Sequence, residues 1–131
     1  MINQNKEQIL VVEDDQDIRD LIVFNLQKKD FNVKSTDSGD KAISLIREDN
    51  FNLILLDLMM PEMDGFEFAE RLRENKEWLD IPVVVITAKD LTKEDHARLK
   101  GNVEAIMQKG SYSKNELLNE VSERIRKITE G

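Results

Sequence analysis

The sequence contains the stretch Leu53-Ile54-Leu55-Leu56-Asp57, an apolar run that ends in a carboxylate, followed by Leu58-Met59-Met60-Pro61. Continuous Leu and Ile are typical of a strand covered on both faces of a parallel sheet. A carboxylate beside such a strand needs a cation or hydrogen-bond donors, because an unpaired buried charge is very costly. A second run, Ile9–Val12, is followed in the same way by Glu13 and Asp14. The position of these three acids is the first indication of a functional site.

Apolar runs and helical patterns alternate along the chain. The runs predict strands at Ile9–Val12, Asn32–Ser35, Leu53–Leu56, Val83–Ile86 and Ala105–Met107. Apolar residues at helical spacing predict the helices between them, as with Ile18, Ile22 and Leu26 in the first. Strict alternation implies an α/β fold, a parallel sheet with right-handed crossovers and helices on both faces. We expect one domain over residues 8–127 with flexible ends at 1–7 and 128–131, and the more polar second and fifth strands at the sheet edges.

Composition excludes several classes of function. The chain has 131 residues, 40% of them hydrophobic and 35% charged, which predicts a single folded, soluble domain. Its net charge of -8 argues against binding a nucleic-acid backbone. The absence of cysteine excludes disulfides, thiol catalysis and thiolate metal sites. No apolar stretch is long enough to insert in a membrane and the start lacks a secretion signal, so a cytoplasmic location is the default expectation.

The polar residues that follow the strands are predicted to meet in one crevice. Thr87 follows the fourth strand and Lys109 the fifth, in addition to the acids after the first and third. In open α/β sheets ligands bind at the carboxyl ends of the strands. The acids repel one another and Lys109 supplies only one positive charge, so the cluster needs a further cation. An all-oxygen site suits a hard ion, and Mg²⁺ is favoured over Ca²⁺.

A magnesium site beside a free carboxylate is suited to accepting a phosphoryl group. The metal would neutralise incoming oxygens, Lys109 would bind another oxygen, and Thr87 would donate a hydrogen bond to a third. Ala88, the small residue after Thr87, keeps the approach to the acids clear. The residues therefore predict phosphoryl transfer onto an acid at this edge of the sheet.

Three strings in this order resemble the receiver domain of two-component response regulators. They are Ile9-Leu10-Val11-Val12-Glu13-Asp14-Asp15, Leu55-Leu56-Asp57-Leu58-Met59-Met60-Pro61-Glu62-Met63-Asp64-Gly65 and Val85-Ile86-Thr87-Ala88, and a late Lys109 follows them. The similarity covers essentially the whole chain at matching spacing. It implies a single flavodoxin-like (βα)5 domain, a doubly wound parallel sheet with strand order 2-1-3-4-5.

The resemblance also implies roles for individual residues around the acids. Asp57 is the expected phosphoacceptor. Glu13 and Asp14 are expected to hold Mg²⁺ together with Asp57, and Asp14 more directly than Glu13. The backbone carbonyl of Met59 is the expected third protein ligand. On this basis the cofactor is Mg²⁺ and the modified residue is Asp57.

Thr87 and Lys109 are expected, by the same resemblance, to contact the phosphoryl group, with Ala88 beside them. The donor would be a phosphohistidine on a sensor histidine kinase or a histidine phosphotransfer protein. Phosphorylation would then change contacts with a downstream protein target. Such a domain is a regulatory phosphoacceptor and not an enzyme, although it assists its own phosphorylation and dephosphorylation.

Two positions depart from the usual receiver pattern. Receivers usually have Lys-Pro with a cis bond after the fifth strand, whereas Lys109 precedes Gly110. Because a cis bond to a non-proline costs about 2.5–4 kcal/mol, we expect a trans bond or a strained cis one. Many receivers also have Tyr or Phe three residues before this Lys, where this chain has Ile106. The switch candidates are therefore Thr87 and Ile106. Without an aromatic ring at position 106, output should depend more on the backbone of the fourth strand and helix than on a moving side chain.

Other functions are less well supported by the residues. A flavodoxin-like electron carrier would need amides and hydroxyls after the first strand, where acids stand and would repel a phosphate. A phosphatase or dehalogenase-like hydrolase pairs its nucleophile with an acid two residues on, where this chain has Met59. An interaction-only receiver that does not switch is the main alternative. Four residues follow Lys127, so we expect no DNA-binding output domain. Either a stand-alone regulator or a receiver from a hybrid sensor kinase fits.

Overall fold

The computed structural model of the protein describes residues 7–59 and 64–130, which form one sheet covered by helices. The alternating elements are β1 (Gln8–Val12), α1 (Gln16–Lys28), β2 (Asn32–Thr36), α2 (Gly39–Glu48), β3 (Leu53–Asp57), α3 (Gly65–Glu74), β4 (Val83–Thr87), α4 (Lys93–Leu99), β5 (Ala105–Gln108) and α5 (Lys114–Glu130). Short 3₁₀ helices lie at Lys76–Trp78 and Lys109–Ser111. Among the described residues, no helix combines the length and hydropathy needed to cross a bilayer.

The five strands are parallel and lie in the order β2-β1-β3-β4-β5, as predicted. β3 and β4 are buried along their whole length, whereas two residues of β2 are exposed. β2 and β5 each pair on one side only, so polar side chains are tolerated at these edges. Successive strands are added on one side of β1 and then on the other, so the topological switch point of the sheet lies between β1 and β3. The first two acids follow β1 and Asp57 ends β3, so all three lie at this point.

Alternate residues of the strands enter two separate cores. Leu10 and Leu56 belong to the core under α2, α3 and α4, while Ile9 and Leu55 belong to the core under α1 and α5. This alternation follows from the two-residue period of a strand. Both faces are covered, so the predicted doubly wound α/β architecture is confirmed.

The helices begin at side chains that satisfy their free amides. Asp15 accepts hydrogen bonds from the amides of Asp17 and Ile18 at the start of α1. Asp64 accepts one from Glu67 at the start of α3. Such N-caps each contribute roughly 1 kcal/mol of stability. These two N-caps also fix where α1 and α3 begin after the strands β1 and β3.

The ordered secondary structure is longer than the sequence pattern predicts. α5 continues to Glu130, past Lys127 where a flexible end was expected, because Ile128 still packs against the α1–α5 core. The carbonyl of Glu7 accepts a hydrogen bond from Asn32, so residue 7 is tied to the sheet. Residues 1–6 and 131, also predicted to be flexible, lie outside the described residues. The strands β3 and β4 include Asp57 and Thr87 as their last residues, where the prediction ended one residue earlier.

Candidate phosphoacceptor and metal site

The register of the sheet brings two of the acids together. Val12 of β1 pairs with Leu56 of β3, so Glu13 and Asp57 are the next residues along neighbouring strands. Parallel neighbours lie about 4.8 Å apart. Glu13 and Asp57 therefore meet because they lie at the same level of neighbouring strands.

The register extends this arrangement across the sheet. Asp57 pairs with Ile86 of β4, and Thr87 pairs with Gln108 of β5. Lys109 is the residue after Gln108, so its long side chain starts one strand beyond Thr87. The predicted gathering of acids, hydroxyl and ammonium at one edge of the sheet is thus produced by the staggered strand ends.

The three acids form a compact cluster of carboxylates. One carboxylate oxygen from each of Glu13, Asp14 and Asp57 lies within 4.8 Å of the others. Glu13 and Asp57 are buried, with only 1% and 3% of their surface exposed, whereas Asp14 is exposed. The site is therefore a buried pair of acids whose third member faces solvent, which leaves a side open to an ion or a reactant.

Lys109 joins this cluster through its ammonium group. Its Nζ donates to Glu13 Oε1 at 2.7 Å and to Asp57 Oδ2 at 3.4 Å. The ammonium thus lies closer to Glu13 than to the predicted phosphoacceptor. No cis peptide bond occurs between residues 7–59 or 64–130, so the bond from Lys109 to Gly110 is trans.

The pKa values of Glu13 and Lys109 are both raised in this cluster. Burial, together with the neighbouring Asp57 carboxylate, raises the pKa of Glu13 to about 8 against the opposing effect of Lys109. Burial disfavours the ammonium of Lys109, but the hydrogen bond from it to Glu13 and the charges of Asp57 and Glu13 outweigh that effect and raise its pKa. The Lys109 ammonium therefore does not offset the burial of Glu13 beside Asp57.

The donor set fits a divalent cation. Only oxygen ligands are offered by Glu13, Asp14 and Asp57, and hard cations such as Mg²⁺ and Ca²⁺ prefer oxygen. The amide of Met59 donates to Asp57 Oδ1 at 3.1 Å, which fixes the carboxylate against the following loop. Met59 itself is 53% exposed.

The remaining predicted residues lie on or just after β4 and β5. Thr87 is fully buried, and its hydroxyl oxygen accepts the Lys89 amide at 3.0 Å. Ala88 is exposed beside it. Ile106 is half-buried in β5, pairs with Val85 and packs against the core under α2, α3 and α4. Ile106 therefore fills a packed apolar position next to the strand that carries Thr87.

Sequence reasoning overlooked a contact to the backbone of the acids. Arg19 of α1 donates from Nη1 to the carbonyl oxygen of Glu13 at 2.8 Å. The amide of Glu13 donates to the carbonyl of Thr36 at the end of β2. Nothing in the spacing of α1 distinguishes Arg19 from the other polar residues of that helix, so only the folded loop reveals the contact.

Comparison with known proteins gives the same class of domain. The family model for the response regulator receiver domain matches residues 9–122. The transcriptional regulatory protein SrrA of Staphylococcus aureus (strain NCTC 8325) is 39% identical over 94 residues, which cover 72% of this chain and 36% of SrrA. The match thus spans about a third of the length of that relative.

Solved structures are similar over almost the whole chain. The response regulator TrrA of Thermotoga maritima, in complex with Mg²⁺–BeF, has a TM-score of 0.79 at 26% identity, covering 93% of this chain and 98% of that one. The Francisella response regulator 1452 receiver domain has a TM-score of 0.82 at 25% identity, covering 95% and 98%. The chain belongs to the response regulator receiver domain family, whose members are phosphorylation-dependent switches.

Proposed function

We propose that this protein accepts a phosphoryl group from a phosphohistidine onto Asp57 in a Mg²⁺-dependent reaction, and that phosphorylation changes its contacts with a protein target. The observation that carries the proposal is the cluster of three carboxylates with Lys109 within hydrogen-bond reach of two of them. Asp57 is the member that ends the central strand β3 and lies between the other site residues.

The reaction is a direct transfer between two nucleophilic atoms. A carboxylate oxygen of Asp57 forms a bond to phosphorus while the bond from phosphorus to the imidazole nitrogen breaks, and the electron pair of that bond returns to the ring. Asp57 is buried and held from one side by the Met59 amide, so its oxygen is positioned before the donor arrives. Positioning and charge stabilisation supply most of the catalysis in such transfers.

The chain supplies groups for the oxygens of the incoming phosphoryl group. Lys109 lies between Glu13 and Asp57 and is near enough to exchange one carboxylate for a phosphoryl oxygen. The Thr87 hydroxyl accepts from Lys89, so its hydrogen is available to donate. Ala88 adds no bulk beside it. Glu13, Asp14, Asp57 and the carbonyl of Met59 would hold Mg²⁺, which when bound supplies positive charge to the phosphoryl oxygens.

The switch would involve Thr87 and the segment that follows it. A hydrogen bond from Thr87 to a phosphoryl oxygen would move the Thr87 hydroxyl towards that oxygen. Because the same hydroxyl accepts a hydrogen bond from the Lys89 amide, the movement would shift the β4–α4 loop. Ile106 is packed in the core and carries no ring, so we assign it the role of a passive neighbour. The readout is then a change in the loop and α4.

The partners follow from this chemistry. The donor is a sensor histidine kinase or a histidine phosphotransfer protein, and the acceptor of the signal is a protein surface. The domain assists its own phosphorylation and the later hydrolysis of the acyl phosphate. We place this activity in the cytoplasm, and the net charge of -8 argues against direct nucleic-acid contact by this segment.

Intact-mass measurement after incubation with acetyl phosphate and Mg²⁺ tests the proposal. The wild type should gain the mass of one phosphoryl group, and Asp57→Asn should gain none. Asp80→Asn is the matched control, because Asp80 is an exposed acid that lies before β4, at the other end of the strands.

Three outcomes decide between the functions. Phosphorylation of wild type and Asp80→Asn that EDTA abolishes supports the proposal. Phosphorylation of Asp57→Asn at the wild-type rate contradicts the assignment of the acceptor. No phosphorylation of the folded wild type by acetyl phosphate or by a phosphorylated histidine donor supports the interaction-only alternative.

A further inference from the structure

The backbone between the two metal-site acids is held by a side chain from α1. Arg19 Nη1 donates to the carbonyl oxygen of Glu13 at 2.8 Å. This carbonyl belongs to the peptide that joins Glu13 to Asp14. Because a peptide is planar, fixing its oxygen also fixes the direction in which the chain enters Asp14.

The rest of the same loop is also tied down. The Glu13 amide donates to the Thr36 carbonyl at 3.0 Å, and the Asp15 carboxylate caps α1 through the amides of Asp17 and Ile18. These contacts hold the loop before and after the Glu13–Asp14 peptide. Arg19 supplies the contact to the peptide itself, which neither of the others reaches.

The charge of Arg19 is favoured by the nearby Asp37 carboxylate and opposed by two other features of its surroundings. Arg19 lies near the N-terminal end of α1, where the helix dipole disfavours positive charge. It also lies beside a site that we expect to bind a divalent cation, so its charge opposes that binding. Because these charge interactions partly cancel, the hydrogen bond to the Glu13 carbonyl is the feature of Arg19 that bears on the site.

We propose that Arg19 is a positioning residue for the metal site: by holding the Glu13 carbonyl, it aims the exposed Asp14 carboxylate at the cation. The proposal rests on the proposed function, since it needs Mg²⁺ to bind at Glu13, Asp14 and Asp57. It assigns Arg19 no contact with the phosphoryl group or the metal.

The Arg19→Gln variant separates positioning from charge, because the two make opposite predictions. Loss of the positive charge alone would strengthen Mg²⁺ binding. Loss of the positioning contact would weaken it, by about tenfold, as is usual for residues that orient metal ligands. The measurement is the Mg²⁺ dissociation constant by calorimetry, with thermal unfolding in EDTA to confirm that the variant is folded.

A charge-matched control is available on the neighbouring helix. The Asp37 carboxylate is held at a lowered pKa by the hydrogen bond and charge of Lys41 and, to a smaller extent, by the charge of Arg19, so both cations lie near one acid. Lys41→Gln removes the same charge without touching Glu13. Its Mg²⁺ affinity should equal or slightly exceed that of the wild type.

Three further readouts test the hydrogen bond from Arg19 to Glu13. Amide hydrogen exchange of residues 13–15 in EDTA should be faster in Arg19→Gln and unchanged in Lys41→Gln. Arg19→Lys restores a donor, so it should recover most of the Mg²⁺ affinity. In phosphorylation by acetyl phosphate, the Mg²⁺ concentration for half-maximal rate should rise about tenfold in Arg19→Gln, while the rate at saturating Mg²⁺ stays near that of the wild type.

The outcomes distinguish the two proposals. A wild type that binds no Mg²⁺ contradicts the proposed function. A wild type that binds Mg²⁺, with Arg19→Gln binding equally or more tightly, or with Arg19→Lys no better than Arg19→Gln, overturns the role of Arg19 and leaves the proposed function standing.

Discussion

At the scale of single residues, Lys109 shows what the acid cluster lacks. Its ammonium lies 2.7 Å from Glu13 and 3.4 Å from Asp57, so a single cation is shared unequally by two buried acids. Buried charges are tolerated only when they are paired. The remaining repulsion between the Glu13 and Asp57 carboxylates can be relieved by protonation of Glu13 or by a divalent ion. These two events compete, because the ion needs the ionised acid.

This competition predicts a pH dependence in metal-free protein. The pKa of Glu13 is about 8 in the folded state, above its ordinary value of 4.5, so folding favours the protonated form. Its contribution to the free energy of unfolding is fully present below about pH 4.5 and is lost as the pH rises through 8. Urea unfolding in EDTA should show wild type losing stability between pH 5 and pH 8.5, by roughly 3–4 kcal/mol more than Glu13→Gln.

Mg²⁺ supplies the control for that measurement. Saturating Mg²⁺ should remove most of the difference in slope between wild type and Glu13→Gln, because the ion stabilises the ionised acids. Lys109 does not interfere in this range, since its raised pKa moves its own titration to higher pH. Parallel stability curves for the two proteins in EDTA would contradict the raised pKa of Glu13.

Gly65 is required by a close approach beside Asp57. A Cβ added there would lie 2.5 Å from the Leu58 Cα and 3.0 Å from the Asp57 carbonyl oxygen, both of them backbone atoms. Gly65→Ala should therefore destabilise the protein by about 1–3 kcal/mol. Gly110→Ala is the control, because nothing lies within 4 Å of an added Cβ there. Equal urea midpoints for the two variants would show that α3 can move away from the end of β3 at little cost.

At the scale of elements, α4 is attached to the core through one buried residue and to α3 through an exposed ion pair. Of its residues only Leu99 is buried. Arg98 pairs with Glu70 of α3 through two hydrogen bonds of 3.0 and 2.9 Å and lies 5.1 Å from the ring of Phe66. A helix attached through surface pairs can change position at low cost. This attachment fits a segment that follows Thr87 and is expected to move.

Arg98→Ala should loosen α4 without unfolding the domain. We expect only a small loss in the free energy of unfolding, since the ion pair and the ring contact are both lost at a largely exposed site. Hydrogen exchange of the α4 amides should increase more than that of the β4 amides. Lys93→Ala, which removes an exposed cation from the same helix, is the control. Protection of α4 unchanged in Arg98→Ala would show that Leu99 alone holds the helix.

The elements and their order were largely predictable, while their ends and contacts were not. Apolar runs gave β3 and β4 because buried parallel strands have a distinctive composition, and the strand order came from the family resemblance. The inclusion of Asp57 and Thr87 in their strands depends on backbone pairing with β4 and β5, which the side-chain pattern does not encode. The closeness of Lys109 to Glu13 and the role of Arg19 depend on loop geometry, for which spacing along the chain carries no signal.

At the scale of the whole molecule, the two ends of the sheet have different tasks. The carboxyl ends of the strands carry the acids, and Arg73 binds the backbone at the opposite, amino-terminal ends of β4 and β5. The guanidinium of Arg73 donates to the carbonyls of Trp78, Leu79, Ile81 and Asn102, at distances of 2.7–3.2 Å. It thereby joins the segments that precede β4 and β5, so the frame beneath the site is held by contacts that take no part in the chemistry.

Arg73→Met should therefore lower stability and leave the chemistry intact. Loss of the guanidinium leaves several carbonyls without a donor, which should cost about 2–3 kcal/mol in urea unfolding. The rate of phosphorylation by acetyl phosphate, per folded molecule, should match the wild type. Lys76→Met controls for the loss of an exposed charge nearby. A reduced rate in folded Arg73→Met would show that the two ends of the sheet are coupled.

A crystal structure of the protein grown with Mg²⁺ and beryllium fluoride tests the central claim most directly. The result expected is one Mg²⁺ bound by the carboxylates of Asp14 and Asp57. The beryllium fluoride group should be attached to Asp57, and the Lys109 ammonium should point towards that group. A structure in which Asp57 stays unmodified, or in which Mg²⁺ binds elsewhere while the three acids remain clustered around Lys109 alone, would contradict it.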